Sequence, residues 1–192
     1  MRITLFDYGA GNLHSLAKAL YAPGVELRVE EDPLRALDTG LLVLPGVGAF
    51  GAAAARLAPG REAMRRAVAQ GLPCLGICLG MQLMFEGSDE GPGEGLGLFR
   101  GRATRLRSRR VPHIGWNGVE GGETGLTSVY YANSYACRPA QPEEVSAWTD
   151  YEGDRFPAVV RRGKLLGVQF HPEKSSSAGV RFLQSFLSEV RS

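Results

Sequence analysis

The stretch Cys74-Leu75-Gly76-Ile77-Cys78-Leu79-Gly80-Met81-Gln82-Leu83-Met84-Phe85 changes its period halfway along. Cys74 to Cys78 is a short apolar run bounded by turn residues, as expected of a strand buried on both faces. From Leu79 to Phe85 the apolar residues follow helical spacing. Gly76 and Gly80 each stand two positions from Cys78. A Gly-x-nucleophile-x-Gly elbow has this form, because a sharp strand-to-helix turn leaves no room for side chains beside the nucleophile.

The pattern repeats outward from this elbow. Arg2 to Phe6 alternates as a strand, Asp7 to Asn12 is a Gly-rich turn, and Leu13 to Tyr21 has helical spacing. Val25 to Val29 and Leu41 to Leu44 read as strands, and Arg61 to Gln70 as a helix stopped by Gly71. Strands alternating with helices predict an α/β fold: a doubly wound, mainly parallel central sheet with helices on both faces. After a Gly-rich loop, Gly87 to Gly97, the second half adds short pieces that predict antiparallel strands: Leu98 to Leu106, Thr127 to Tyr131, Ala158 to Arg161 and Leu165 to Phe170. Arg162-Gly163 is placed as the hairpin turn between the last two. Gly179 to Val190 reads as a closing amphipathic helix. The expectation is one domain over residues 1–192.

Composition narrows the function. With 192 residues, 44% of them hydrophobic, the chain can bury one substantial core. A formal net charge of +2 excludes a polycation drawn to nucleic acid or membrane by charge alone. No apolar run approaches the roughly 20 residues of a bilayer span, and the N-terminus lacks a signal peptide's apolar stretch. Three cysteines make no complete disulfide framework, so the expectation is a cytoplasmic protein.

Cys78 is the candidate nucleophile, at a helix N-terminus that favours a thiolate and supplies backbone N–H groups toward a developing oxyanion. Its plainer reading is a small buried hydrophobe. His171 is the candidate base. It follows an apolar strand within His171-Pro172-Glu173, and residues i and i+2 of an extended segment share a side, so Glu173 can hold one ring nitrogen. Pro45-Gly46-Val47-Gly48 could complete an oxyanion hole with the Leu79 N–H. No Gly-Lys-Ser/Thr follows, so it is not a phosphate loop. Cys74 and Cys78 have no neighbouring His pair to make a zinc site. The arginines between Arg100 and Arg110 read as a solvated face, and the glycines from Gly87 to Gly101 as a mobile loop.

These pieces, in this order, resemble the class I, triad-type glutamine amidotransferases over essentially the whole chain. Asp7-Tyr8-Gly9-Ala10-Gly11-Asn12-Leu13, Pro112-His113-Ile114-Gly115-Trp116-Asn117 and His171-Pro172-Glu173-Lys174-Ser175 look like the branch serving histidine biosynthesis. In that branch a glutaminase subunit hydrolyses glutamine and passes ammonia to a (β/α)8 synthase subunit in a heterodimer. The resemblance implies Cys78, His171 and Glu173 as the triad and Val47, Gly48 and Leu79 as oxyanion donors. It implies Gln82, Ser134 and Tyr135 around the glutamine, and Asn12, Trp116 and Lys174 toward the synthase. It calls for no metal or organic cofactor. The chain departs from the pattern at Asn133, where the family tends to carry His. A glutaminase of another pathway and a non-catalytic binding subunit are the alternatives.

Overall fold

In the computed structural model, which describes residues 1–9, 13–122 and 125–191, strand and helix alternate through the first half. The elements are β1 (Arg2–Phe6), α1 (His14–Leu20), β2 (Glu26–Glu30), β3 (Leu41–Leu44), α2 (Phe50–Leu57), α3 (Arg61–Ala69), β4 (Cys74–Ile77) and α4 (Leu79–Met84). The second half is mostly strand: β5 (Gly87–Ser88), β6 (Gly101–Arg105), β7 (His113–Gly118), β8 (Ser128–Asn133), β9 (Tyr135–Pro139), β10 (Val145–Tyr151), β11 (Asp154–Arg162) and β12 (Leu165–Val168). Helix α5 (Ser176–Arg191) follows.

A seven-stranded sheet runs in the order β10-β11-β12-β4-β3-β1-β2. The five strands from β12 to β2 pair in parallel, and β10 and β11 extend that edge antiparallel. Alternate residues of β3 serve opposite faces. Leu41 and Val43 pack with Leu16 and Leu20 of α1 and with Leu183, Phe186 and Leu187 of α5. Leu42 and Leu44 pack with Phe50, Ala53 and Leu57 of α2, with Met64 of α3 and with Leu83 of α4. All four residues of the strand are fully buried, which is why the run shows no polar alternation. The predicted doubly wound α/β sheet is the fold observed. Two smaller sheets, β5-β6-β9 and the ribbon β7-β8, stand beside it.

Three expectations are corrected. The β11–β12 turn is Gly163-Lys164, one place later than predicted, since Arg162 pairs with Leu165 and Gly163 takes the positive φ of 57°. The segment after α4 is pinned rather than mobile. The N–H of Leu96 donates to the Leu83 carbonyl (2.6 Å) and that of Leu98 to the Met84 carbonyl (2.8 Å), and Leu96 is buried. Helix α5 begins three residues before Gly179. Gly179 instead marks a close approach, where a Cβ would stand 2.2 Å from the Pro172 carbonyl oxygen.

The parallel strands β1, β3, β4 and β12 end on one side of the sheet. In open α/β folds such a carboxyl edge is where ligands bind.

Candidate active site

Cys78 sits between β4 and α4 with φ +48° and ψ −105°, a conformation that an L-residue holds only under compulsion. The compulsion comes from packing. A Cβ on Gly80 would lie 1.9 Å from the Leu44 carbonyl oxygen, and one on Gly76 would lie 2.7 Å from the Gly80 oxygen. Strand and helix therefore press together on both sides of the thiol, as the sequence predicts. The Cys78 N–H donates to the Val168 carbonyl (2.7 Å), and the ladder of α4 begins with Gln82 N–H donating to the Cys78 carbonyl (3.1 Å). The Leu79 N–H thus lies ahead of the ladder, in the first turn, where helix N–H groups have no intrahelical acceptor.

Strand β12 lies beside β4 with Val168 opposite Ile77, so the residues that follow each strand are neighbours. Gln169 donates from Nε2 to the Cys78 sulfur at 3.6 Å. Two residues on, His171 is 1% exposed, and its Nδ1 meets Glu173 Oε1 at 2.8 Å. Burial disfavours the imidazolium. The charge and hydrogen bonding of the Cys78 sulfur, and then Glu173, outweigh burial and push the His171 pKa up from 6.5 to about 10. The other two thiols differ. Burial pushes Cys74 up to about 12, and burial together with the charge of Cys78 pushes Cys137 well up. Among the described residues no cluster of three His, Cys, Asp or Glu could hold a metal ion.

A cleft of about 280 Å³ opens over the thiol. Gly46, Val47, Gly48 and Leu79 line one part, Gln82 and Ser134-Tyr135 another, with Cys78, His171 and Lys174 between them. Gly48 has φ +124°, and Tyr8 anchors the start of this loop by donating its hydroxyl to the Pro45 carbonyl. Gln82 is buried and donates from Nε2 to the Tyr135 carbonyl at 3.2 Å. Trp116 does not line the cleft. It stands on the ribbon, 55% exposed, edge-on to Tyr130 at 6.4 Å, and the Lys174 ammonium lies 5.9 Å from that same ring. Asn12 lies outside the described residues.

Three residues beside the thiol or in the cleft wall were not assigned a role from the sequence. Gln169 shares a side of its strand with His171, so a period-two reading through His171 finds it. Glu90, whose carboxylate accepts the Phe50 N–H at the start of α2 (3.0 Å), lies forty residues from its contact and has no local signal. Asn133 sits in the cleft wall where the sequence already marked a departure. Within the arginine stretch Arg102 pairs with Asp89 and Arg110 with Glu152, and both arginines stay largely exposed.

A thiol, an imidazole and a carboxylate in this order can attack a carbonyl, protonate a leaving nitrogen and activate water. The family model for class I glutamine amidotransferases matches residues 4–190. The imidazole glycerol phosphate synthase subunit HisH of Symbiobacterium thermophilum is 48% identical, covering 96% of this chain and 92% of that protein. The HisH subunit of Pyrococcus furiosus is 43% identical, covering 96% and 97%. A crystal structure of a glutamine amidotransferase superposes with a TM-score of 0.77 at 21% identity, covering 99% of both chains. PurLQS from Thermotoga maritima does so at 0.71 and 21%, covering 97% of each.

Proposed function

The chain belongs to the class I glutamine amidotransferases, and from that premise we propose that it is the glutaminase subunit of an imidazole glycerol phosphate synthase, a single amidotransferase domain over residues 1–192 acting in the cytoplasm. Cys78 is the nucleophile, His171 the general acid and base, and Glu173 the residue that orients His171. The observation that carries this reading is a strained nucleophile elbow abutting a buried imidazole–carboxylate pair.

The reaction follows from that geometry. The Cys78 thiolate attacks the side-chain carboxamide carbon of glutamine, and the carbonyl oxygen takes up the negative charge. The Leu79 N–H and an N–H of Val47 or Gly48 are assigned to that oxygen. The His171 imidazolium gives its proton to the departing nitrogen, which leaves as ammonia and leaves a γ-glutamyl thioester. Neutral His171 then takes a proton from water as it attacks the thioester, and glutamate departs from Cys78. Gln82, Ser134 and Tyr135 hold the substrate. Thiol, imidazole and backbone dipoles supply each step, so no metal or organic cofactor is invoked.

Ammonia is passed to a (β/α)8 synthase subunit in a heterodimer. Asn12, Trp116 and Lys174 are assigned to that partner. The exposed Ile114 and Trp116, with Trp116 and Lys174 both against the Tyr130 ring and Lys174 lining the cleft, support a docking face next to the thiol. Among the described residues no helix is long and apolar enough to cross a membrane. The test is glutamate release from glutamine by the chain with its synthase, lost in Cys78→Ala, together with mass-spectrometric detection of one glutamine-analogue adduct on Cys78. Turnover that survives Cys78→Ala would overturn the assignment.

A further inference from the structure

The His113 ring lies between two tyrosines, with centroids 4.7 Å from Tyr131 and 3.9 Å from Tyr151 and both pairs stacked. Its two nitrogens have different surroundings. The Asn117 amide is oriented by its own bonds: Oδ1 accepts the Gly118 N–H at 2.7 Å, and Nδ2 donates to the Asp150 carbonyl at 2.9 Å. The Nδ2 that faces His113 Nε2 at 3.4 Å is therefore a donor, and Nε2 must accept. A neutral imidazole with a lone pair on Nε2 carries its proton on Nδ1.

His113 is also the register partner of Asn133 across the β7-β8 ribbon, so the two side chains stand on the same face of it. His113 Nδ1 and Asn133 Oδ1 are both buried, and neither has a hydrogen-bond partner among the described residues. Each supplies what the other lacks, a donor and an acceptor. Once Oδ1 faces His113, the Asn133 amide nitrogen faces the other way and donates to the Tyr135 carbonyl at 3.0 Å. That carbonyl also accepts Gln82 Nε2, so its two lone pairs serve two carboxamides. Burial keeps the imidazole neutral by pulling its pKa down to about 4.

We infer that His113 and Asn133 form a hydrogen-bond relay that fixes the Tyr135 carbonyl and, through it, the Gln82 side chain, making Asn133 a positioning residue for glutamine and tying the cleft wall to the exposed β7 ribbon. The inference rests on the amidotransferase reading, in which Gln82 holds substrate. A carboxamide suits the place because it accepts at one end and donates at the other, which a carboxylate or an alkyl group does not.

The experiment has two arms on the full chain. Nitrogen-15 NMR of the His113 ring should show Nδ1 protonated and Nε2 bare. Covalent labelling of Cys78 by a glutamine-analogue electrophile, followed against concentration, reads the pocket. Asn133→Ala leaves the buried His113 Nδ1–H and one lone pair of the Tyr135 carbonyl unpaired and should raise the half-saturating concentration about tenfold, moving it more than the limiting labelling rate. Asn133→Asp keeps the acceptor toward His113 and loses the donor to Tyr135, so it should preserve the tautomer and still raise the half-saturation. His113→Phe keeps the aromatic stack, should shift half-saturation in the same direction, and carries the test if Asn133→Ala does not fold. A proton on Nε2, or wild-type half-saturation in both Asn133→Ala and His113→Phe, would overturn the relay. A wild-type chain that the analogue never labels would instead overturn the amidotransferase reading, with the nitrogen shifts still deciding the relay.

Discussion

A Cβ atom on Gly46 would stand 2.9 Å from His171 Cε1, 3.2 Å from the Cys78 Cβ and 3.1 Å from the Ile77 carbonyl oxygen. The loop after β3 therefore closes directly on the imidazole and the thiol, and the methyl of Gly46→Ala must push at least one of them aside. A displacement of that size at reacting groups costs on the order of a hundredfold in rate. Gly46→Ala should fold with wild-type circular dichroism and lose about that much kcat. Wild-type kcat would mean that the loop yields without disturbing His171.

The elbow glycines should rank by what their missing side chains would strike. Gly80→Ala drives a methyl into the Leu44 carbonyl, where a Cβ would sit at 1.9 Å, whereas Gly76→Ala meets the Met84 sulfur at 2.4 Å and the Gly80 carbonyl oxygen at 2.7 Å. The thioether ends a flexible side chain and can turn away, which leaves Gly76→Ala a milder backbone clash than the one at Leu44. Overpacking of this kind costs about 1–3 kcal/mol, occasionally more. Urea melts should place Gly80→Ala at or beyond the top of that range and Gly76→Ala below it. The reverse order would mean that β4 and α4 adjust about the elbow as a unit.

The proton on His171 should answer to Cys78 more than to Glu173. Burial lowers the imidazole pKa, the Cys78 sulfur raises it most, and Glu173 raises it less. Cys78→Ala should therefore lower the His171 pKa, read by NMR, further than Glu173→Gln does. The folded-state value of about 10 lies above the ordinary 6.5. The group's stabilising contribution is thus complete below pH 6.5 and disappears as pH rises through about 10, and the imidazolium needed to protonate the departing nitrogen persists up to that point. An alkaline limb of kcat well below pH 9 would show that another group limits the reaction.

Among the three cysteines, Cys78 alone should react with iodoacetamide near neutral pH. All three are largely buried, but Cys74 and Cys137 are fully enclosed and held as thiols by burial. Cys74→Ala and Cys137→Ala should retain most of the glutaminase activity. Peptide mapping after brief alkylation decides the matter, and early modification at Cys74 or Cys137 would contradict the burial assigned to them.

The first half of this fold was open to sequence reading because β3 and β4 are short apolar runs and β1 alternates polar with apolar residues before a Gly-rich turn. The residues proposed as the triad were readable for a related reason: an elbow and an i, i+2 pair on an extended segment are local geometry. Helix α2 was missed. Its apolar face is Phe50, Ala53, Ala54 and Leu57, correctly spaced but diluted by alanines on the outer face. Strands β7, β9 and β10 were missed because they lie among polar residues and gain their order from distant partners. In β10, Trp148 pairs with Pro157 of β11 and its N–H donates to the Glu120 carbonyl. The β10–β11 turn is Glu152-Gly153, with both residues at positive φ, and glutamate in the first place is not the Asn or Asp that usually marks such a hairpin. The relay through His113 and Asn133 joins residues twenty apart, which no local period connects.

The loop after β3 offers the proposed synthase subunit a point of control. Gly48 holds φ +124°, and Val47 before it is 37% exposed, while Tyr8 secures only the Pro45 end of the loop. Between Gly46 and Gly48 the peptide can turn over at little steric cost, so the N–H assigned to the oxyanion can be presented or withdrawn. Withdrawing one such donor costs on the order of a hundredfold in rate. The docking face proposed around Trp116 and Lys174 abuts the same cleft, so a seated partner can favour one orientation of the peptide. Adding the synthase subunit with its nucleotide-like ligand should therefore raise kcat for glutamine by about that factor and change KM far less. Gly48→Ala should fall below wild type in the complex, because an alanine is strained at that φ. Steady-state kinetics with and without the partner are the measurement. Equal kcat in both, with the complex verified by sedimentation, would mean that the oxyanion site is already formed in the isolated chain and that Gly48 serves only the turn.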